Sequence, residues 1–406
     1  MKSISYICSR IYAKISRRIK NSSLMYKLHL LESTRYPIIK NPCSLYDIVY
    51  HIKDATWESM TMPEVWHMGK RYDYSMYHNA QNILRVNDAI VMPNSDVVLT
   101  DKGVIWDKYE SPMFNYMYAF DSNLTKYDKE YVYIRRPKTI KHISGDCLSL
   151  LGVFEDVWAH FIVQFLPKLY YAQEAGLLTK DVTVILPPYM DSNNKELVDN
   201  ILTKYPTIKP FVIQADNRCV YKCDTLYWIP TASALSNDTK IPILYQNIIP
   251  QRVLDILKNN VFSAYKNDVC SPTYEKIYLV RKGKYRNLTN IDEIEEFFAK
   301  NGFQFIEPHK LTLKQKICIF RSAKIIAGPQ SGAWTNVIFC NKAKGLMLTT
   351  ISWLFDGYLG YISKDCCHVL MVPGEEIYYK SSHNPYYISL ETIQDAYLSL
   401  INQIED

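Results

Sequence analysis

Between Ile277 and Phe339 the sequence changes its apolar period again and again, and that alternation constrains the fold more than any other feature. Ile277-Tyr-Leu-Val280 is an apolar run of strand length. Ile291, Ile294, Phe297 and Phe298 then recur at helical spacing up to Lys300, Phe303 to Ile306 is strand-like again, and Thr312 to Ala323 carries Leu313, Ile317 and Phe320 on one helical stripe. Asp292 and Glu293 in the first turn and Gly302 just past Lys300 mark the ends of the earlier helix. Ile325 to Ala327 is a third strand. Strand and helix in alternation predict crossover connections and a parallel sheet, whose ligands sit beyond the carboxyl ends of its strands. Arg281, Glu307 and Gly328-Pro329-Gln330 each follow a strand, so topology directs all of them to that edge.

The third strand breaks at Gly328-Pro329 and runs through Ser331, Gly332 and Ala333 before apolar residues resume at Val337, a strand, turn and helix. Three small residues at a helix start let a ligand approach the backbone, and unpaired N–H groups there favour an anion such as a diphosphate. Taken alone, the same turn reads first as a ligand-free connection. Arg281 has a guanidinium able to hold phosphate bidentately, with Lys282, Lys284 and Arg286 in the polar loop after it. Thr335 and Asn336 offer further hydrogen bonds, unless Asn336 serves as a cap of the turn. Glu307 reads either as an acceptor for ribose hydroxyls or as a solvated carboxylate, with His309 a lesser candidate beside it.

Upstream, Ala89 to Trp106 alternates in short strands around the turn at Asp101-Lys-Gly103. Cys147 to Leu151 reads as a strand, followed by a helix from Val157 to Ala175 whose Trp158, Phe161, Ile162, Phe165 and Leu169 form the buried stripe and which Pro167 should kink. Asp156 and His160 are four residues apart with Gln164 one turn on, so on a helix they share a face. A carboxylate there would orient the imidazole and raise its proton affinity, as a general base requires; Asp156 as a helix cap is the alternative. Val182 to Leu186, Asn194 to Thr203, Phe211 to Gln214 and Thr225 to Ile229 then read as strand, helix, strand, strand. The expected domains are a basic and aromatic extension at 1–80, an α/β domain at 81–270 and a second α/β domain at 271–406, divided in the polar stretch Asn267 to Thr273.

The strand ending in Arg281, then Glu307-Pro-His, Leu311-Thr-Leu-Lys-Gln-Lys-Ile317 and Ala327-Gly-Pro-Gln-Ser-Gly-Ala-Trp-Thr-Asn-Val-Ile-Phe339, together with Trp158-Ala-His160-Phe-Ile-Val-Gln-Phe-Leu-Pro167-Lys-Leu169, resemble glycosyltransferase family 61. This is a bacterial capsular polysaccharide biosynthesis type of domain, formerly of unknown function. The resemblance covers roughly residues 85 to 375; many members have His where Gln330 stands and a polar residue where Val157 stands. It implies a GT-B-like fold, two Rossmann-like α/β domains facing a central cleft. It also implies an inverting transfer from a nucleotide-sugar donor to a glycan or glycolipid acceptor, with His160, tuned by Asp156, as base. Arg281, Arg286, Glu307, Gln330, Ser331, Gly332, Ala333, Thr335 and Asn336 would hold the donor. The alternatives are a catalytically silent sugar- or nucleotide-binding subunit, for which the departures at Gln330 and Val157 leave room, and a nucleotide-sugar epimerase, which uses the same two-domain layout.

A net charge of +6 on 406 residues suits anionic ligands without demanding nucleic acid, and no basic tract points to it. The absence of Asp-x-Asp spacing leads to the expectation of no obligatory metal and no cofactor, with arginine and amides supplying positive charge. The ten cysteines lack paired zinc spacing and read as reduced thiols. Residues 2 to 20 alternate Lys and Arg with Ile, as an amphipathic helix on the inner face of a plasma membrane would, though packing on the body suits them equally. With no spanning run and no signal-like core, the expected location is cytoplasmic, peripheral at most.

Overall fold

The computed structural model describes residues 32–68, 73–106, 121, 123–128, 130–235, 247–265, 269–283, 285–354, 357–377 and 384–402. The helix expected at 2–20 and Lys284 lie outside the described residues. No helix among the described residues is long and apolar enough to cross a membrane. The chain forms two compact α/β units, Met1–Thr56 with His78–Asp238 and Trp57–Tyr77 with Thr239–Asp406. The division thus falls upstream of the Asn267 to Thr273 stretch, and Trp57–Tyr77 joins the second unit. Strand pairing accounts for that: Glu64 and Val65 pair in parallel with Leu370 and Met371, extending the second unit's sheet.

In the second unit, five parallel strands lie in the order Gln304–Ile306, Lys276–Leu279, Ile325–Pro329, Ala343–Thr350 and Cys367–Glu376. In chain order that is two-one-three-four-five, a doubly wound arrangement that reverses direction between Lys276–Leu279 and Ile325–Pro329. The reversal puts the crossover helices Ile291–Lys300 and Leu313–Ser322 on opposite faces. Ile294 and Phe298 of the first pack with Tyr278, Leu346, Leu370 and the C-terminal helix Leu390–Asn402 in one core. Burying a ring such as Phe298 stabilises by about 1.5–3 kcal/mol, and Phe298→Ala would cost about 3–5 kcal/mol. Thr312 starts the second helix with a reciprocal cap: its side chain accepts from the Gln315 amide while Gln315 Oε1 accepts from the Thr312 amide at 3.0 Å. The two central strands approach so closely at Gly328, φ +144°, that a Cβ there would stand 2.6 Å from the Leu279 carbonyl oxygen. Only glycine fits.

The helix expected after Ser331 is a 3-10 helix, Gly332–Phe339. Its first turn is tied down at both ends, by Trp334 N–H to the Ser331 carbonyl at 3.1 Å and by the Trp334 indole N–H to the Pro329 carbonyl at 3.2 Å.

The first unit's nine-stranded sheet holds a parallel run, Lys209–Val212, Val182–Leu186, Thr139–Ser149 and Cys219–Trp228, in that spatial order. The expected hairpin strands, Ile90–Val91, Val97–Thr100 and Gly103–Trp106, extend it antiparallel. The strand read from Cys147 begins at Thr139, because its early residues are largely solvent-facing and show no apolar run.

The long helix is not continuous. Trp158–His160 is one α-turn, Phe161–Phe165 is π-helical and Leu166–Glu174 is α, with Pro167 in that last segment's first turn. The disturbance expected at Pro167 is therefore taken up by Phe161–Phe165, ahead of it. Proline has no N–H to give the Val163 carbonyl, and Ser233 Oγ supplies that bond instead at 2.8 Å. Ala232 N–H likewise serves the Gln164 carbonyl at 3.3 Å.

Candidate active site

Arg281 stands two residues beyond the Lys276–Leu279 strand, at the point where the second unit's sheet reverses direction. Its Nη1 donates to the Gln330 carbonyl at 2.6 Å and its Nη2 to the Tyr285 carbonyl at 2.6 Å. Arg281 and the Gln330-Ser331 turn thus share one end of the sheet, as strand order requires. Among the described residues no carboxylate pairs with this guanidinium, and burial pushes its pKa down. A cation partly withdrawn from water and bonded to carbonyl oxygens gains from an anionic ligand.

Arg286 lies nearby in the left-handed region, φ +53°, with its guanidinium 4.4 Å from the centre of the Trp353 ring. Both arginines act electrostatically on the buried Tyr386 hydroxyl, which donates to the Leu348 carbonyl at 3.1 Å. Sequence reading offered no sign of Trp353 or Tyr386. The loop carrying Trp353 is held by Glu376: its Oε1 accepts from the Ser352 amide at 3.1 Å and its Oε2 from Asn384 Nδ2 at 2.8 Å. Burial alone would raise the Glu376 pKa, but hydrogen bonds from Ser352 and Asn384 hold it below the usual value.

The other expected donor contacts divide. Gln330 is fixed in place, its amide bonded to the Leu348 carbonyl at 2.8 Å and its Oε1 accepting from Thr349 at 2.6 Å. Ser331 caps the 3-10 helix by accepting from the Ala333 amide at 3.3 Å, which engages that amide internally. Gly332 faces open space, where a Cβ would meet nothing within 4 Å. Thr335 and Asn336 are buried; Thr335 accepts from the Tyr358 hydroxyl at 3.0 Å, and Asn336 Nδ2 bonds the Ala333 carbonyl at 2.8 Å, the cap that was the alternative for it. Glu307 is gripped by Lys310 at 2.9 Å and Lys282 at 3.0 Å, which pull its pKa down to about 2, and His309 Nε2 lies 3.7 Å from its second oxygen. It is a bridged anion rather than a freely solvated one.

His160 belongs to the first unit and ends the short α-turn ahead of the π-helical segment. Its Nδ1 lies 2.7 Å from Gln164 Oε1, while Gln164 Nε2 donates to the Ser233 carbonyl at 3.0 Å. That second bond fixes the amide's orientation, so Oε1 must accept and Nδ1 must carry the proton. Nε2 of the ring is left with its lone pair, the state a base requires. Burial pushes the His160 pKa down to about 4, against smaller upward pulls from Gln164 and Asp156, so the ring is neutral at pH 7. This reverses the expected rise in proton affinity. Asp156 neither caps the helix, which begins after Val157, nor hydrogen-bonds the ring; it acts on His160 through charge alone, and Gln164 is the orienting partner. Phe154 packs 4.9 Å from the imidazole. Next to these, Glu155 is buried, and burial raises its pKa well above the usual range.

Among the described residues no group of three or more His, Cys, Asp or Glu is placed to hold a metal ion. The family model described as Glycosyltransferase 61 matches residues 158–347, a little under half of the chain. The matched span includes His160, Gln164, Arg281, Gln330 and the 3-10 turn, and excludes Asp156, Trp353, Glu376 and Tyr386. No curated protein matches the chain.

Proposed function

We propose that this chain is a glycosyltransferase of family 61 that moves a sugar from a nucleoside-diphosphate donor to a glycan hydroxyl with inversion at the anomeric carbon. The reading rests above all on Arg281, a half-buried guanidinium bonded to the Gln330 carbonyl at the reversal point of a parallel sheet and lacking an acid partner among the described residues. Such a group stabilises the negative charge that gathers on a departing diphosphate, and it does so most strongly where water is excluded. Arg286 on its Trp353 shelf adds a second positive charge near the Tyr386 hydroxyl. The open Gly332 position leaves room for a phosphate oxygen beside the turn.

His160 takes the acceptor's proton on Nε2 as the new bond to the anomeric carbon forms and the bond to the diphosphate oxygen breaks. Gln164 keeps Nδ1 protonated throughout, so the ring becomes a cation only as the proton arrives. A pKa of about 4 leaves the ring free to accept at neutral pH, although it also makes it a weak base, so the transition state must already carry much leaving-group charge. This reading includes a GT-B-type pairing of the two α/β units, action without a metal and a role in surface polysaccharide synthesis at the membrane's inner face. Positive charge from Arg281 and Arg286 would stand where a divalent cation otherwise would.

A panel of nucleotide-sugars, screened first by thermal shift and then for donor consumption with and without oligosaccharide acceptors, tests it. Donor loss that requires acceptor and persists in EDTA is expected. Donor conversion without acceptor would replace transfer with epimerisation, stabilisation without any conversion would leave a binding subunit, and loss of transfer in EDTA would remove the metal-free step.

A further inference from the structure

Cys270 and Cys318 lie away from the residues described above, on a segment and a helix of the second unit. Cys270 is half-buried and Cys318 is buried, and the two thiols hydrogen-bond each other. Each sulfur also meets a donor. Arg321 Nη2 donates to Cys270 Sγ, and the Ser271 amide donates to the Cys318 sulfur. The arginine is held in that position by its Nη1, which bonds the Tyr265 carbonyl at 2.8 Å. The segment is fastened again where the Tyr274 amide donates to Ser322 Oγ at 3.2 Å. The guanidinium faces the sulfur of Cys270, the more exposed of the two, while burial pushes the Cys318 thiol up, so Cys270 is the one placed to attack a disulfide from solution.

The other cysteines supply the contrast. Cys147 and Cys223 also hydrogen-bond each other but are fully buried on neighbouring strands, and Cys340, Cys366 and Cys367 are buried together. Cys43 is half-buried, with Asn82 Nδ2 at 3.5 Å and no cysteine beside it among the described residues.

We propose that Cys270 and Cys318 are a redox-active thiol pair which a low-molecular-weight disulfide converts to an intramolecular disulfide. The Cys270 thiolate attacks one sulfur of the reagent and expels one thiolate, forming a mixed disulfide. Cys318, giving up its proton, attacks Cys270 Sγ and expels the second. One reagent disulfide is reduced to two thiols, and one protein disulfide forms. The bond would join the segment leading into Lys276–Leu279 to the helix leading into Ile325–Pro329, the strands that carry Arg281 and Gln330 at their far ends.

The test treats the full chain, natively folded, with oxidised glutathione, traps free thiols by alkylation and maps peptides by mass spectrometry. A Cys270–Cys318 cross-linked peptide, lost on reduction, is expected. Cys318→Ala should accumulate glutathione on Cys270, and Arg321→Met should slow the reaction about tenfold at neutral pH. Wild-type chain that gives adducts on Cys43 alone, cross-links Cys147 to Cys223 instead, or forms the 270–318 bond only after denaturation overturns the proposal. The wild-type arm decides the matter even if a variant fails to fold.

Discussion

The two α/β units place opposite electrostatic demands on similar scaffolds. In the first, burial strips His160 of its charge, and Gln164 fixes which nitrogen holds the proton. In the second, burial acts on Arg281 the same way, yet a guanidinium keeps its proton at any ordinary pH, so the cost of desolvation stays in the molecule. One physical effect, loss of water, therefore yields a neutral acceptor in one unit and a waiting positive charge in the other. The lesson is that burial alone does not say what a polar group does. The group's own proton affinity decides.

That contrast can be broken most forcefully at His160. His160→Ala should lower kcat by about 10²–10⁴-fold while nucleoside-diphosphate affinity, measured calorimetrically, stays as it was. A wild-type rate would remove the base. Arg281→Ala should show the reverse split: affinity for a nucleoside diphosphate falls about 10–100-fold, as expected when a charge-assisted contact worth about 1.5–3 kcal/mol is lost, and unchanged affinity would take Arg281 out of the site. Glu376→Ala leaves the Ser352 amide and Asn384 without their acceptor. It should cost about 1–3 kcal/mol by denaturant unfolding and, by loosening the Trp353 shelf, weaken diphosphate binding by only a few-fold. No change in either would deny Glu376 its role.

A further contrast is in pH dependence. The folded His160 pKa, about 4, lies below its ordinary value of 6.5, so the unfolded chain binds more protons between those values. The His160 contribution to stability is thus fully present above 6.5 and is lost as pH falls toward 4. Glu307, held at about 2 against an ordinary 4.5, contributes in the same direction over a lower window, present above 4.5 and lost as pH falls toward 2. Unfolding curves for His160→Gln and for Lys282→Ala with Lys310→Ala should flatten the two windows separately. Coincident changes would mean that neither group titrates as described.

Much of the second unit was legible because its signals are local. Apolar periodicity marked each strand and helix between Ile277 and Ala323, and chain order alone carried Arg281 to the Gln330 turn. What stayed hidden depends on partners far along the chain. Arg286 finds Trp353, and Glu376 finds Ser352, through parallel strands whose register no local pattern reveals. Trp57–Tyr77 joins the second unit's sheet through a two-residue strand, Glu64 and Val65, too short for any period to show. The strand from Thr139 was half missed because only one of its faces is apolar enough to register. Asp156 acts on His160 through charge while Gln164 makes the orienting bond, and the reason is more local. Spacing by four implies a shared face only inside a helix, and this one starts after Val157.

The wider turn at Phe161–Phe165 has a consequence for how this chain can vary. A π-turn accommodates about one more residue than an α-turn over the same rise, so deleting one residue there would let the helix run on as α. Everything ahead of the deletion would then swing about 100° around the axis, while Leu166–Glu174 kept its grip on the core. A chain shortened in this way could fold with near-native stability and point its imidazole in the wrong direction. Bearing and strength are thus set by separate segments of one interrupted helix.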